Sequence, residues 1–175
     1  IQRDTLAAIM ALTTSGITSP KDLEGKLIAD LPGSVVKLLF PTYARLAGVD
    51  HTRVRWLSAT GPALASMLTA REPADAIGQF VVGRPLIEKA TGGKPITMIP
   101  YNDYFGDLPG NGLWVAGKTL RERPLLVERF RRALLRGLAD TVRDAGPAAA
   151  GAALHKHVPL ADPDVAAAEL VLMKP

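Results

Sequence analysis

Cysteine is absent from the sequence, and its absence excludes disulfide frameworks, thiolate-bound zinc, iron–sulfur ligation and cysteine nucleophiles together. It leaves the redox compartment open. Long apolar runs are missing too, since no stretch approaches the ~18 uninterrupted apolar residues of a membrane span. The chain opens at Ile1 with neither an initiator methionine nor a signal-peptide pattern, so a processed or truncated product is expected. No charge sign dominates: 21 Lys and Arg stand against 17 Asp and Glu, a net +4. That is too mild to imply a nucleic-acid partner unless the positive charge gathers on one face. Also missing are a Walker loop, a Gly-x-Ser-x-Gly elbow, a His-Glu-x-x-His pair and any exact internal repeat. Asp103 and Asp107 share a loop with no evident base or nucleophile beside them, so no catalytic constellation is visible and neither a cofactor nor a metal is expected.

What is present is a chain of 175 residues with 47% hydrophobic and 22% charged positions, enough to bury a core as one domain or two small lobes. The apolar run Thr5 to Leu12 reads as a buried strand that ends in the turn chemistry of Thr13-Thr14-Ser15-Gly16. Ser19-Pro20-Lys21-Asp22-Leu23 reads as one helical turn, with Ser19 as cap and Pro20 at the first helical position. A strand over 26–30, the turn Pro32-Gly33-Ser34 and a helix from Val35 to Leu46 follow, with Gly48 as the stop. The same unit recurs as strand 54–57, turn 58–62 and helix 63–70. A third strand over 75–82, a helix over 85–90 and a fourth strand over 96–99 continue the alternation. Such a pattern predicts α/β architecture, with a mostly parallel sheet covered on both faces.

After a loop over 101–112, Leu113-Trp114-Val115-Ala116 reads as one more short strand, and the remainder as helix. Pro124 to Arg143 places Leu126, Phe130, Leu134, Leu138 and Thr141 on one face. Two Ala-rich helices, from Pro147 and from Pro163, close the chain. The run Arg121, Arg123, Arg129, Arg131, Arg132 and Arg136 reads as the solvated side of an amphipathic helix rather than a nucleic-acid surface. His155 and His157, two residues apart, do not share a helix face as paired metal ligands would.

In open α/β sheets, ligands bind beyond the carboxyl ends of the strands, where helix N-termini present free N–H groups. That rule selects Gly33 and Ser34, then Thr60 and Gly61, then Gln79 and Phe80, and finally Tyr101, Asn102 and Tyr104, as candidate ligand-binding residues. Small residues and hydroxyls suit close backbone approach to a carboxylate, sulfonate, phosphate or heterocycle nitrogen; the competing reading is that Ser34 and Thr60 merely cap their helices. Five of nine aromatic residues, Phe80, Tyr101, Tyr104, Phe105 and Trp114, fall within 80–114. They suit a pocket for a small planar or amphipathic organic molecule, although Phe105 and Trp114 are expected in the core.

The phrases Ile17-Thr18-Ser19-Pro20-Lys21-Asp22-Leu23-Glu24-Gly25-Lys26-Leu27-Ile28, Pro32-Gly33-Ser34, Leu46-Ala47-Gly48-Val49-Asp50, Ala74-Asp75-Ala76-Ile77, Gly110-Asn111-Gly112-Leu113 and Pro124-Leu125-Leu126-Val127-Glu128-Arg129-Phe130 together resemble the solute-binding proteins of ABC importers. The branch they resemble binds thiamine pyrimidine precursors, sulfonates and nitrate. The resemblance implies a type II periplasmic-binding-protein-like fold: two lobes joined by crossing strands, with the solute held between them and delivered to a membrane permease. On this reading 1–15 belong to lobe 1 and the first hinge strand, 16–109 form a complete lobe 2, and 110–175 hold the second hinge strand and the C-terminal helices of lobe 1. The family usually has further residues before the position of Ile1, so lobe 1 is expected to be incomplete.

The resemblance further implies an extracytoplasmic, periplasmic or cell-surface receptor, monomeric when complete, with no catalysis and no nucleic-acid partner. Asp75 is expected to fix its own loop by hydrogen bonds. Two alternatives share the architecture: an enzyme of pyrimidine-precursor synthesis, whose cysteine-rich motif this chain lacks, and the ligand-sensing domain of a regulator.

Overall fold

The computed structural model describes residues 4–70, 73–143 and 146–173. The chain divides into two units, one up to Asn111 and one from Gly112 onward.

The first unit holds five strands, β1 (Ala7–Leu12), β2 (Leu27–Asp30), β3 (Arg55–Ser58), β4 (Ala76–Phe80) and β5 (Ile96–Pro100), with the helices α1 (Val35–Leu46), α2 (Gly61–Leu64), α3 (Arg84–Ala90) and α4 (Asn102–Phe105) between and after them. The strand order is β3-β2-β4-β1-β5. β2 pairs in parallel with β3 and β4, whereas β1 pairs antiparallel with both β4 and β5. The expected mostly parallel sheet holds for four strands and departs at β1, which lies between β4 and the edge strand β5 and runs against both. An all-apolar strand is buried on both faces whichever way it runs, so its sequence does not disclose its direction.

Alternating side chains distribute the core to the two faces. Ala7, Ile9 and Ala11 of β1, Ile28 of β2 and Ala76 of β4 join Val36, Phe40, Tyr43 and Ala44 of α1. Met10, Ala29 and Ile77 point the other way and pack with Leu64, Ala65, Leu68 and Ile87. The sheet is therefore covered on both sides, as the β-α alternation requires.

Local signals set the element ends. Ser19 and Asp22 form a reciprocal capping box around a 3₁₀ turn over Pro20–Leu23, and the bonds from the Thr18 and Ser19 backbones and from Ser19 Oγ hold the Asp22 carboxyl below its usual range. Gly48, at φ +71°, ends α1 in the left-handed region open to glycine. The helix expected over 63–70 is instead short, α2 followed by a 3₁₀ turn over Ala65–Leu68. Asp75 does fix its loop: its Oδ2 accepts the Leu27 N–H at 2.8 Å.

The second unit is helical: α5 (Gly117–Glu122), α6 (Pro124–Arg143), α7 (Gly146–His157) and α8 (Pro163–Leu172). The strand expected over 113–116 does not form; this segment has no ladder partner among the described residues, and Trp114 is 92% exposed instead of lying in the core. Four apolar residues without a pairing edge have nothing to satisfy their backbone as a strand. α6 covers the expected range, yet Leu126, Phe130 and Leu134 on its apolar face are exposed. Of its arginines, Arg131 and Arg132 both bind Glu128, whose carboxyl they hold down at about 2. α7 and α8 pack at Gly151, where an added Cβ would overlap the Pro163 carbonyl and lie 3.2 Å from Ala167 N.

A second such contact lies in the first unit. A Cβ at Gly78 would overlap the carboxyl of Asp30 on the neighbouring strand, with Oδ1 at 2.9 Å. Asp30 cannot swing away cheaply, because Leu31 N and Ser34 Oγ both bind it. Gly78→Ala is therefore expected to destabilise the chain by about 1–3 kcal/mol, read as a lowered urea midpoint. In an Asp30→Ala background the same substitution should cost clearly less; equal costs in both backgrounds would show that the two side chains do not meet.

Candidate functional site

The parallel strands β2, β3 and β4 end side by side at Asp30, Ser58 and Phe80, with Asp30 in register with Ser58. On the α1 face of this edge, Ser34 caps the helix by accepting the Lys37 N–H at 3.3 Å and donates its own hydroxyl to Asp30 Oδ2. The Val35 and Val36 N–H groups open α1, where position denies them an acceptor within the helix. Beside them lies a hollow of ≈ 220 Å³ lined by Thr5, Leu6, Val35, Phe80, Pro109, Gly110 and Asn111. It is smaller than the ~300–1,000 Å³ usual for drug-sized ligands, which restricts it to a small molecule or part of one. Leu31, Val35 and Phe80 are exposed around this strand edge, as an apolar binding surface requires.

The candidate residues divide. Gly33, with φ +73°, and Ser34 form the turn that delivers Val35 to the hollow. Phe80 lines the hollow at 38% exposure. Thr60 and Gly61 lie exposed at the same end of the sheet, after β3; Thr60 makes no side-chain cap bond, so the capping alternative holds for Ser34 and not for Thr60. Gln79 belongs to the opposite face by strand alternation, and its Oε1 accepts the Phe80 N–H at 2.8 Å while its side chain covers Gly83.

The tyrosine segment is displaced from the hollow. Tyr101 is fully buried, stacks on Tyr43 with centroids 4.0 Å apart and donates its hydroxyl to the Val36 carbonyl at 3.1 Å. It is a core residue that supports the first turn of α1 and presents no surface to a ligand, which corrects its placement in a pocket wall. Tyr104 is half exposed and sets its ring edge-on to Tyr43 at 5.4 Å. Asn102, on α4, buries its Oδ1 without a partner among the described residues. Phe105 packs partly buried against the same cluster, as expected.

Sequence reasoning missed Thr5, Leu6 and the segment 109–111. The antiparallel register that sets Ala7 against Phe80, with Val81 N donating to Leu6 O at 2.8 Å, is what carries Thr5 and Leu6 to this edge. No local signal encodes that pairing. The described residues hold no group of three or more metal-ligating side chains, and no helix among them is long and apolar enough to cross a membrane.

A two-faced α/β sheet in which one strand runs against the other four, with a hollow at its carboxyl edge, is the architecture this chain shares with periplasmic binding proteins. The likeness to solved structures agrees. The periplasmic aliphatic sulphonate binding protein SsuA from Escherichia coli is 19% identical, with a TM-score of 0.77 over 100% of this chain and 57% of that one. The alkanesulfonate-binding protein SsuA from Xanthomonas axonopodis pv. citri, bound to MOPS, is 18% identical, with a TM-score of 0.68 over 99% of this chain and 57% of that one. The ligand-binding component of an ABC-type import system from Staphylococcus aureus, with zinc bound, is 11% identical, with a TM-score of 0.63 over 97% and 56%. The chain thus spans less than three fifths of the length of these structures. No curated protein sequence matches it. The NMT1/THI5 like family matches residues 1–148, and the chain belongs to that family.

Burial raises the hydroxyl pKa of Tyr101 and of Tyr43 above the ordinary 10.0, with smaller contributions from Tyr43 and Asp30 at Tyr101 and from Tyr104 and Asp103 at Tyr43. An acid raised on folding is bound to its proton more tightly in the folded state. Its contribution is intact below the unfolded value and is lost as pH rises beyond it. Thermal stability is therefore expected to fall from about pH 10 upward. Tyr101→Phe should flatten that fall while costing about 1 kcal/mol at neutral pH for the lost bond to Val36; an unchanged alkaline slope would contradict the burial of this hydroxyl.

Proposed function

We propose that this chain is part of an extracytoplasmic solute receptor of an ABC importer, which binds a small organic molecule and performs no chemistry on it. Three features support the reading: membership of the NMT1/THI5 like family, the fold shared with sulfonate-binding proteins, and the hollow at the carboxyl edge of the sheet. The last carries it. Phe80 and Val35 offer an apolar wall there, and the first N–H groups of α1 offer polar contacts beside it.

The solute is proposed to be a thiamine pyrimidine precursor, a sulfonate or a related small molecule, and the macromolecular partner a membrane permease. Gly33, Ser34 and Phe80 are the candidate residues that the hollow and its approach turn bring together, with Thr5, Leu6 and Asn111 added from the structure; Thr60 and Gly61 stand at the same edge of the sheet. The α/β unit is read as a complete lobe, and the helical unit as part of the other. Affinity would follow from preferential binding to a closed state.

The test is a thermal-shift screen against thiamine pyrimidine precursors, aliphatic sulfonates, nitrate and aromatic carboxylates. A ligand at a hundred times its dissociation constant should stabilise by about 2.7 kcal/mol, a shift of several degrees. Phe80→Ala is expected to weaken binding of the responding solute at least tenfold, measured by calorimetry, and to leave the protein folded because the ring is partly exposed already. Unchanged affinity would remove the hollow from the binding site. A folded protein that no solute shifts, and that shows turnover of a pyrimidine precursor, would favour the enzyme alternative instead.

A further inference from the structure

Asp30 is an unusual occupant of its position. It stands at the carboxyl end of β2 with 3% of its surface exposed, and it forms no ion pair among the described residues. A buried carboxylate is expensive unless donors compensate it. Here Oδ1 accepts the Leu31 N–H at 2.7 Å and Oδ2 accepts the Ser34 hydroxyl. Both oxygens act as acceptors. Ser34 is the cap of α1, so the carboxylate lies at the positive end of a helix of 12 residues. The lysine in the first turn of that helix does not answer it, because Lys37 Nζ sits 5.7 Å from the Trp56 ring centroid.

The same carboxylate does not line the hollow but stands behind two of its wall residues. It abuts Gly78 on β4, and Phe80 follows Gly78 on the same face, roughly 7 Å farther along the strand. On the other side Ser34 is followed directly by Val35, the second wall residue. The absent side chain of Gly78 is what admits the carboxylate to this place.

We infer that Asp30 sets the charge selectivity of the hollow, which takes an uncharged or cationic small molecule in preference to an anion. The inference rests on the receptor reading and narrows its solute class. The field of the α1 N-terminus is met from inside by Asp30 before any ligand arrives. An anionic group placed against Val35 and Phe80 would therefore meet a like charge behind the wall, one that its own burial leaves weakly screened. A neutral amide or an amino-substituted heterocycle meets no such repulsion and retains the N–H contacts of the helix start.

The experiment uses matched probes of nearly equal shape, nicotinamide with nicotinate and benzenesulfonamide with benzenesulfonate, titrated calorimetrically into the full chain and into Asp30→Asn. The wild type is expected to bind the neutral member of each pair at least tenfold more tightly. Asp30→Asn should shift that ratio at least tenfold toward the anion. Equal or tighter binding of the anions by the wild type overturns the inference, and so does a ratio that Asp30→Asn leaves unchanged. If Asp30→Asn does not fold, the wild-type ratio alone decides. If no probe and no member of the solute panel binds the folded wild type, the receptor reading falls and this inference with it; binding of either pair without charge preference removes this inference and leaves the receptor reading standing.

Discussion

The architecture of the α/β unit depends on β1, a strand with no polar side chain and almost no exposed surface that pairs on both edges. Its antiparallel ladder to β4 holds the parallel pair β2 and β3 on one side, and its ladder to β5 holds the last strand on the other. Its side chains enter both cores, Ile9 toward α1 and Met10 toward α3. A backbone this deeply buried must satisfy every N–H and C=O within the sheet. Burial of its side chains on both faces selects the register, and the register carries Thr5 and Leu6 to the edge where Phe80 ends β4.

At that edge, polarity and packing are coupled through a few small residues. Ser34 serves two partners, accepting from the α1 backbone and donating to Asp30, so the start of the helix is tied to the end of the strand. Tyr101 adds a second tie through the Val36 carbonyl. Val35 and the start of α1 are thereby held by the core and not by a loose loop. At the opposite end of the sheet, Glu24 collects Lys21, Arg53 and the Asp50 N–H. That network joins loops of the same unit far from the hollow, and its exposed cations contribute little to stability individually.

Much of this was legible in the residues themselves. Ser19 with Pro20, Ser34 before Val35 and Pro163 each announced a helix start, because a cap and a proline act over three or four residues and need nothing distant. The β-α alternation announced the layered sheet for the same reason. The strand expected over 113–116 shows the reverse: four apolar residues can form a strand only if a partner edge is available, and no local pattern reports one. Tyr101 was misplaced because an aromatic residue in a predicted loop looks the same whether it turns outward to a ligand or inward onto Tyr43.

The sequence by itself determined the class of fold, the bounds of α1 and α6, the turn at Gly33 and Ser34 and the exclusion of thiol and disulfide chemistry, all consequences of short-range sterics, hydrogen bonding and composition. The tertiary structure alone decided the direction of β1, the choice of Phe80 over Gln79 for the face of the hollow and the inward turn of Tyr101. It also decided the meeting of Asp30 with Gly78, residues 48 positions apart that become neighbours only through strand pairing. Pairing between distant segments is selected by the burial of the whole core, and burial is a property of the assembled sheet that no single stretch of chain contains.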